Sequence, residues 1–307
     1  MEVDRLVQAA QQKLAEEDPE GAIVLFDEAL ARGGGQFDPE IYVQKGAVQF
    51  ESGKPDEALE TLCAGISAGA SSVDAFAYRG LCYSYTNRHE EALLDFDEAL
   101  GRDPRALSVL IDKGRCLTSM ERFEDALVAF DWALMTHPDS YEALRDKART
   151  LSLLNRFSEA IEAYDACLKE RPMDVYIILE KINAQAERGD RDAALSTFNE
   201  ALDHLPGHTQ LLANKASLQV VMGKHADALQ TTEEILKMNP SDSNALMHKS
   251  NALSKLGRYK EALVACDEAI KYGLDVQATA ADHFREVLMR RAAETSETGP
   301  FSLPTAE

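Results

Sequence analysis

The chain has 307 residues, of which 45% are hydrophobic and 28% charged, with a formal net charge of -21. That excess of carboxylates argues against nucleic acid as the main ligand, because phosphate binding needs a basic surface. It also disfavours an anionic membrane surface, and it steers basic partners inward.

No run of about 18 apolar residues occurs, so no membrane insertion is expected. The opening MEVDRLVQAAQQKLAEED reads as an acidic amphipathic helix, Val3 to Leu14. It lacks the basic start and apolar core of a secretory leader, so a cytoplasmic location is expected. Length alone suggests two domains, but internal repetition overrides that prior.

The repetition is anchored on alanine. Ala22 begins the series, and Ala58 follows 36 residues later. Ala92, Ala126, Ala160, Ala194, Ala228 and Ala262 then recur every 34 residues. The two extra residues fall in the loop with Gly33, Gly34 and Gly35, where insertions are tolerated. Four residues after the anchor stand Phe26, Leu62, Phe96, Phe130, Tyr164 and Phe198, weakening to Thr232 and Cys266. Seven after it comes a mostly small residue, such as Ala99, Ala133 or Cys167. This spacing puts all three on one face of a helix.

Proline closes most copies at Pro104, Pro138, Pro172, Pro206 and Pro240, because it cannot continue a helix. Five before the anchor sits Gly53, Asn87, Asn155, Gly189, Gly223 or Gly257, residues suited to the positive φ just past a helix end. Glu121 is the exception, and a strained or differently shaped turn is expected there. Each copy therefore reads helix, short turn, helix, proline-marked turn. In the fourth the helices are predicted at about Leu107 to Met120 and Phe123 to Met135.

The 34-residue spacing of Ala, Phe and Pro resembles that of tetratricopeptide repeat proteins. Phe76, Gly80 and Tyr83 match the family's first-helix pattern. Tyr42 with Gly46, and Leu110 with Gly114 and Leu117, match in part. Later copies depart, with Ala148, Ile182, Ala216 and Ser250 in place of the glycine. The resemblance covers residues of about 3–273, in eight copies. It implies an all-α fold: an α-solenoid of helix-turn-helix units forming a right-handed superhelix, with the first helix of each pair lining the concave face.

Beyond Lys271 the pattern stops. Val276, Phe284, Val287 and Leu288 predict one capping helix at about 275–293, with Asp282, Arg285, Glu286 and Arg290 on its outer face. One solenoid over residues 1–293 is expected, with 294–307 a disordered tail.

A basic ladder lies thirteen residues before the anchors: Lys45, Arg79, Lys113, Lys147, Lys181, Lys215 and Lys249. Asp27, Asp97, Asp131, Asp165, Glu233 and Asp267 lie five after them. The preferred reading is a lattice of ion pairs between helices, each exposed pair contributing about 0–1 kcal/mol. The other reading is a charged stripe for an acidic ligand.

The concave positions implied by the resemblance include Tyr85, Arg115, Arg145, Arg149, Tyr176, Asn183, Asn244 and Asn251. Arg145 and Arg149 share a helical face, and Arg115 occupies the place of Arg149 one unit earlier. Three guanidinium groups there suit a carboxylate-bearing peptide. Against this, Asp112 and Asp146 could neutralise Arg115 and Arg149 within their own helices. The fixed Lys and Asn constellation with which some family members clamp a C-terminal carboxylate is not reproduced, since Glu180 and Asp146 stand where neutral or basic groups are wanted.

Five cysteines, Cys63, Cys82, Cys116, Cys167 and Cys266, form no CxxC pair and suggest neither a zinc site nor a disulfide framework. His204 and His208 are separated by Pro206 and Gly207 and share no helix face. No nucleophile or phosphate-loop motif occurs. The expectation is a non-enzymatic protein-interaction scaffold with no cofactor or metal, binding a peptide or helical segment in the concave groove. The alternative is self-association, with Val3 to Leu14 docking in another protomer.

Overall fold

The computed structural model describes residues 2–33, 38–273 and 278–297. Among these are seventeen helices and no strand. The chain divides into two compact units, residues 1–170 and 171–307. The first unit holds α1 (Glu2–Ala15), α2 (Pro19–Gly33), α3 (Glu40–Glu51), α4 (Pro55–Ser67), α5 (Val73–Tyr85), α6 (His89–Arg102), α7 (Leu107–Ser119), α8 (Phe123–Thr136), α9 (Tyr141–Leu153) and α10 (Phe157–Glu170). The second holds α11 (Val175–Glu187), α12 (Arg191–His204), α13 (Thr209–Val221), α14 (His225–Met238), α15 (Ser243–Lys255), α16 (Tyr259–Lys271) and α17 (Ala278–Glu297). Within each unit every helix packs on the next, as in an α-solenoid.

The turn inside each pair is closed by one left-handed residue. Gly53 (φ 77°), Gly189 (φ 91°), Gly223 (φ 74°) and Gly257 (φ 75°) take it without steric cost. Asn87 (φ 58°) and Asn155 (φ 57°) tolerate it. Glu121 adopts the same conformation at φ 59°. Its turn has the same hydrogen bonds as its neighbours', with Arg122 N donating to Leu117 O at 2.9 Å and Arg88 N to Tyr83 O at 2.8 Å. The turn is therefore not differently shaped; the strain is held in the backbone of one residue.

The anchors Ala22, Ala58, Ala92, Ala126, Ala160, Ala194, Ala228 and Ala262 are all fully buried. So are Phe26, Leu62, Phe96, Phe130 and Tyr164 four residues on, each removing about 1.5–3 kcal/mol worth of apolar surface from water. The first-helix glycines exist for these rings. A Cβ on Gly80 would lie 2.8 Å from Phe96, and one on Gly114 would lie 2.5 Å from Phe130. Where the later copies replace the glycine, the facing residue often shrinks. Ala216 goes with Thr232, and Ser250 with Cys266, while the Ser250 hydroxyl donates to Ala262 O at 2.6 Å.

Helix α1 packs Val3, Leu6, Val7 and Ala10 onto the core around Phe26. The apolar face of the segment from Val3 to Ala10 thus packs within its own chain, while Leu14 is exposed. At the other end α17 seats Leu288 and Phe284 against Leu253, Ala262, Ala265 and Cys266. It extends to Glu297, past the expected end near Ala293, so the start of the expected tail is helical. The Arg285 side chain remains 41% exposed, as expected of the outer face. It pairs with Asp267 of α16, adding a further rung to the ladder. Gly34, Gly35, Val276 and residues 298–307 lie outside the described residues.

Candidate functional site

Successive first helices of the first unit, α3, α5, α7 and α9, touch one another. Among the described residues no two successive second helices approach as closely, so the first helices line the inner side of that unit's curve. On this side Asp146 of α9 is a buried hub. Its Oδ2 accepts from Arg115 Nε of α7 at 2.6 Å, and its Oδ1 accepts from Arg145 Nε at 2.8 Å. Arg115 also donates to Asp112 at 3.2 Å. Burial, with the Asp146 charge adding to it, pushes the Asp112 carboxyl above its ordinary range despite Arg115.

The structure thus joins two of the three predicted arginines through one carboxylate. The Asp112–Arg115 pair lies within one helix, as the neutralising reading had it. Asp146 instead reaches across to the preceding first helix. Arg149 is exposed on the same helix. Tyr85 stands exposed at the end of α5, its ring centroid 6.2 Å from that of Phe50 in an edge-to-face arrangement. Tyr176 and Asn183 on α11 are exposed, and Asn251 on α15 is half-buried; these three belong to the second unit. Asn244 on α15 is exposed as well.

The ladder forms ion pairs between successive helix pairs. Lys45 bonds Asp27 at 2.5 Å, Lys147 bonds Asp131 at 2.6 Å, and Lys113 bonds Asp97. Lys249 lies 3.7 Å from Glu233, and Lys181 is partnered as well. Two rungs differ because the register acceptor is missing. Cys63 stands where Arg79 would find its carboxylate, so Arg79 turns to Asp95 in its own pair. It binds there through Nε at 2.7 Å and a terminal nitrogen at 2.6 Å. That bidentate contact holds the guanidinium charged more firmly than usual. Asn199 stands where Lys215 would find its partner, and among the described residues Lys215 makes no ion pair.

A second surface was not anticipated. Between α6 and α8, floored by α7, lies a cleft of two adjoining cavities of about 360 and 400 Å³. They share Asp97, Lys113, Asp125 and Val128. Around it stand Leu94 at 71% exposure, Val128 at 64% and Trp132 at 47%, with Met135 at 72% one turn further along α8. The signal was present. Trp132 is the sole tryptophan, six after its anchor, where other copies carry Glu28, Ala64, Glu98, Ala166, Glu200, Glu234 and Glu268.

The stacked helix pairs define a helical-repeat fold. Among the described residues no group of His, Cys, Asp and Glu could hold a metal ion. The chain belongs to the tetratricopeptide repeat family, whose models match residues 43–106, 111–175, 185–245 and 243–272. Proteins of this family generally act as protein-interaction scaffolds.

Among solved structures, the C-terminal part of a tetratricopeptide repeat protein from Cytophaga hutchinsonii is similar, with TM-score 0.68 and 16% identity. It covers 79% of this chain and 98% of that one. PilW, a type IV pilus biogenesis factor, gives TM-score 0.59 at 19% identity, covering 72% and 98%. A tetratricopeptide repeat protein from Parabacteroides merdae gives 0.53 at 20%, covering 82% and 99%. At these identities the likeness is one of fold. Comparison with curated protein sequences returns no match. Among the described residues no helix is long and apolar enough to cross a membrane.

Proposed function

We propose that this chain is a non-catalytic scaffold that holds a peptide or helical segment of a partner protein against the first-helix face of its first unit. The observation that carries this is the Asp146 bridge, which fixes Arg115 and Arg145 on neighbouring first helices. A guanidinium held through Nε keeps a planar set of donors in a fixed orientation, so little entropy is lost when an acceptor arrives. With Asp112 and Asp146 close by, the surface is nearly neutral. It suits a partner's backbone carbonyls and single carboxylates better than a polyanion. Tyr85 adds an exposed ring on α5, and Arg149 a further cation on α9. In this reading Tyr176, Asn183 and Asn251 would serve the equivalent face of the second unit.

The test is affinity capture from the native cell extract with the full chain. Wild type is compared with a variant carrying Arg115→Glu, Arg145→Glu and Arg149→Glu, matched for helicity by circular dichroism. Selective loss of one captured protein is expected. A capture profile unchanged by all three reversals would refute the assignment.

A further inference from the structure

The cleft between α6 and α8 lies on the second-helix side of the first unit, away from the Asp146 bridge. The repeat itself supplies the control for whether stacking requires its apolar lining. An equivalent cleft of about 440 Å³ lies between α12 and α14, floored by α13. There Ser196, Gln219 and Gln230 take the places of Leu94, Leu117 and Val128, and Glu234 that of Trp132. The fold therefore forms the same cleft with polar residues. Val24 and Val264 are exposed at the place of Val128 in other copies, but only between α6 and α8 do two successive copies both carry such an aliphatic residue, beside an exposed tryptophan, and that is not a demand of packing. Clustered exposed apolar groups with a polar rim mark an interaction surface.

We propose that this cleft docks an amphipathic helix of a partner protein, with an apolar anchor at one end and lysine or arginine near the other. Its extent fits such an element. The lining runs from Glu90 to Gly101 along α6, roughly 16 Å at 1.5 Å per residue or about three helical turns, and continues to Pro104 beyond the helix end. Its polarity fixes the direction. Leu100, Pro104 and Trp132 line one end, while Glu90 and Arg122 line the other.

Its charge selects the partner. The lining holds the carboxylates of Glu90, Asp97 and Asp125 against the cations of Lys113 and Arg122. Both cations are already bound, Lys113 to Asp97 and Arg122 to Asp125, and among the described residues Glu90 makes no ion pair, although its charge acts on Arg122 from a distance. A basic residue on the docked helix completes that set. A second copy of the chain would bring another 21 negative charges to the same place.

Trp132 makes the test specific, because it is the only tryptophan. The full chain is titrated with three synthetic peptides of about 14 residues, long enough to span the cleft. They are a Leu/Lys amphipathic helix, its Leu/Glu counterpart, and a Leu/Lys peptide of the same composition without an apolar face. A saturable blue shift of Trp132 is expected with the first alone. The double variant Leu94→Ser with Val128→Gln carries the residues of the polar cleft and leaves every charge in place. It is expected to weaken binding about tenfold or more at unchanged helicity. Glu90→Gln should weaken it less and flatten its salt dependence. Equal affinity in the double variant would mean that charge alone holds the peptide, and the proposal would fail. An equal response to the Leu/Glu peptide would also sink it. So would a concentration-dependent dimer of the chain alone, seen by light scattering, with the same Trp132 shift.

Discussion

At the scale of single residues, the repeat lets each departure be judged against its copies. Glu121 takes the left-handed turn that glycine or asparagine takes in its neighbours. That conformation costs a residue with a Cβ roughly 1–2 kcal/mol, partly offset by the greater chain entropy of glycine. Glu121→Gly is therefore expected to stabilise the first unit by about 1 kcal/mol, seen as a higher Tm.

Asp112 gives a pH-dependent counterpart. Burial raises its folded-state pKa, so the folded chain holds the proton more tightly than the unfolded chain. Its favourable contribution is complete below the ordinary value of about 3.9 and is lost as pH rises through the raised one. Asp112→Asn should raise Tm at pH 7, and the gain should vanish near pH 3. A gain that persists at low pH would show that the effect is not ionisation. Thiol chemistry follows burial too. Burial pushes the Cys82 thiol up to about 12 and raises Cys116 and Cys266, and Cys167 is fully buried. In the native chain only half-buried Cys63 should react with a thiol reagent within minutes.

At the scale of elements, the helices are set by a local code. Alanine spacing, a left-handed turn residue and a closing proline are each readable without the fold, and the predicted helix of Leu107 to Met120 ends at Ser119. The fit between elements is less readable. That Gly114 faces Phe130 emerges only when two helices are laid together. Gly114→Ala would press a methyl into a fully buried ring, and a loss of about 1–3 kcal/mol is expected. The ladder shows the same division. Its period is visible in the sequence, but the diversion of Arg79 to Asp95 depends on Cys63 and on the reach of a guanidinium across its own pair.

At the scale of the molecule, the copies in the two units are not equivalent. The first unit buries Phe26, Phe96, Phe130 and Tyr164, while the second has Thr232 and Cys266 at two of the same positions. Repeat arrays are held by their units and nearest-neighbour interfaces, so the weaker copies should unfold earlier. Trp132 reports only on the first unit, whereas far-UV circular dichroism reports on every helix. In a urea titration the dichroism should begin to fall before the Trp132 signal moves. Coincident transitions would show one cooperative block.

The sequence by itself determined the family, the helix pairs, their turns and the core positions. All of these follow from a period of 34 residues and from which residue types a helix or turn can accept. The family resemblance that the sequence carries also named Arg115, Arg145 and Arg149 as groove positions. Only the tertiary structure decided how those arginines are held, since Asp146 meets Arg115 across 31 residues of chain. It also decided that Leu94, Val128 and Trp132 surround one open cleft. Hydrophobic residues on a helix read as core until the neighbouring helix shows which of them it leaves uncovered.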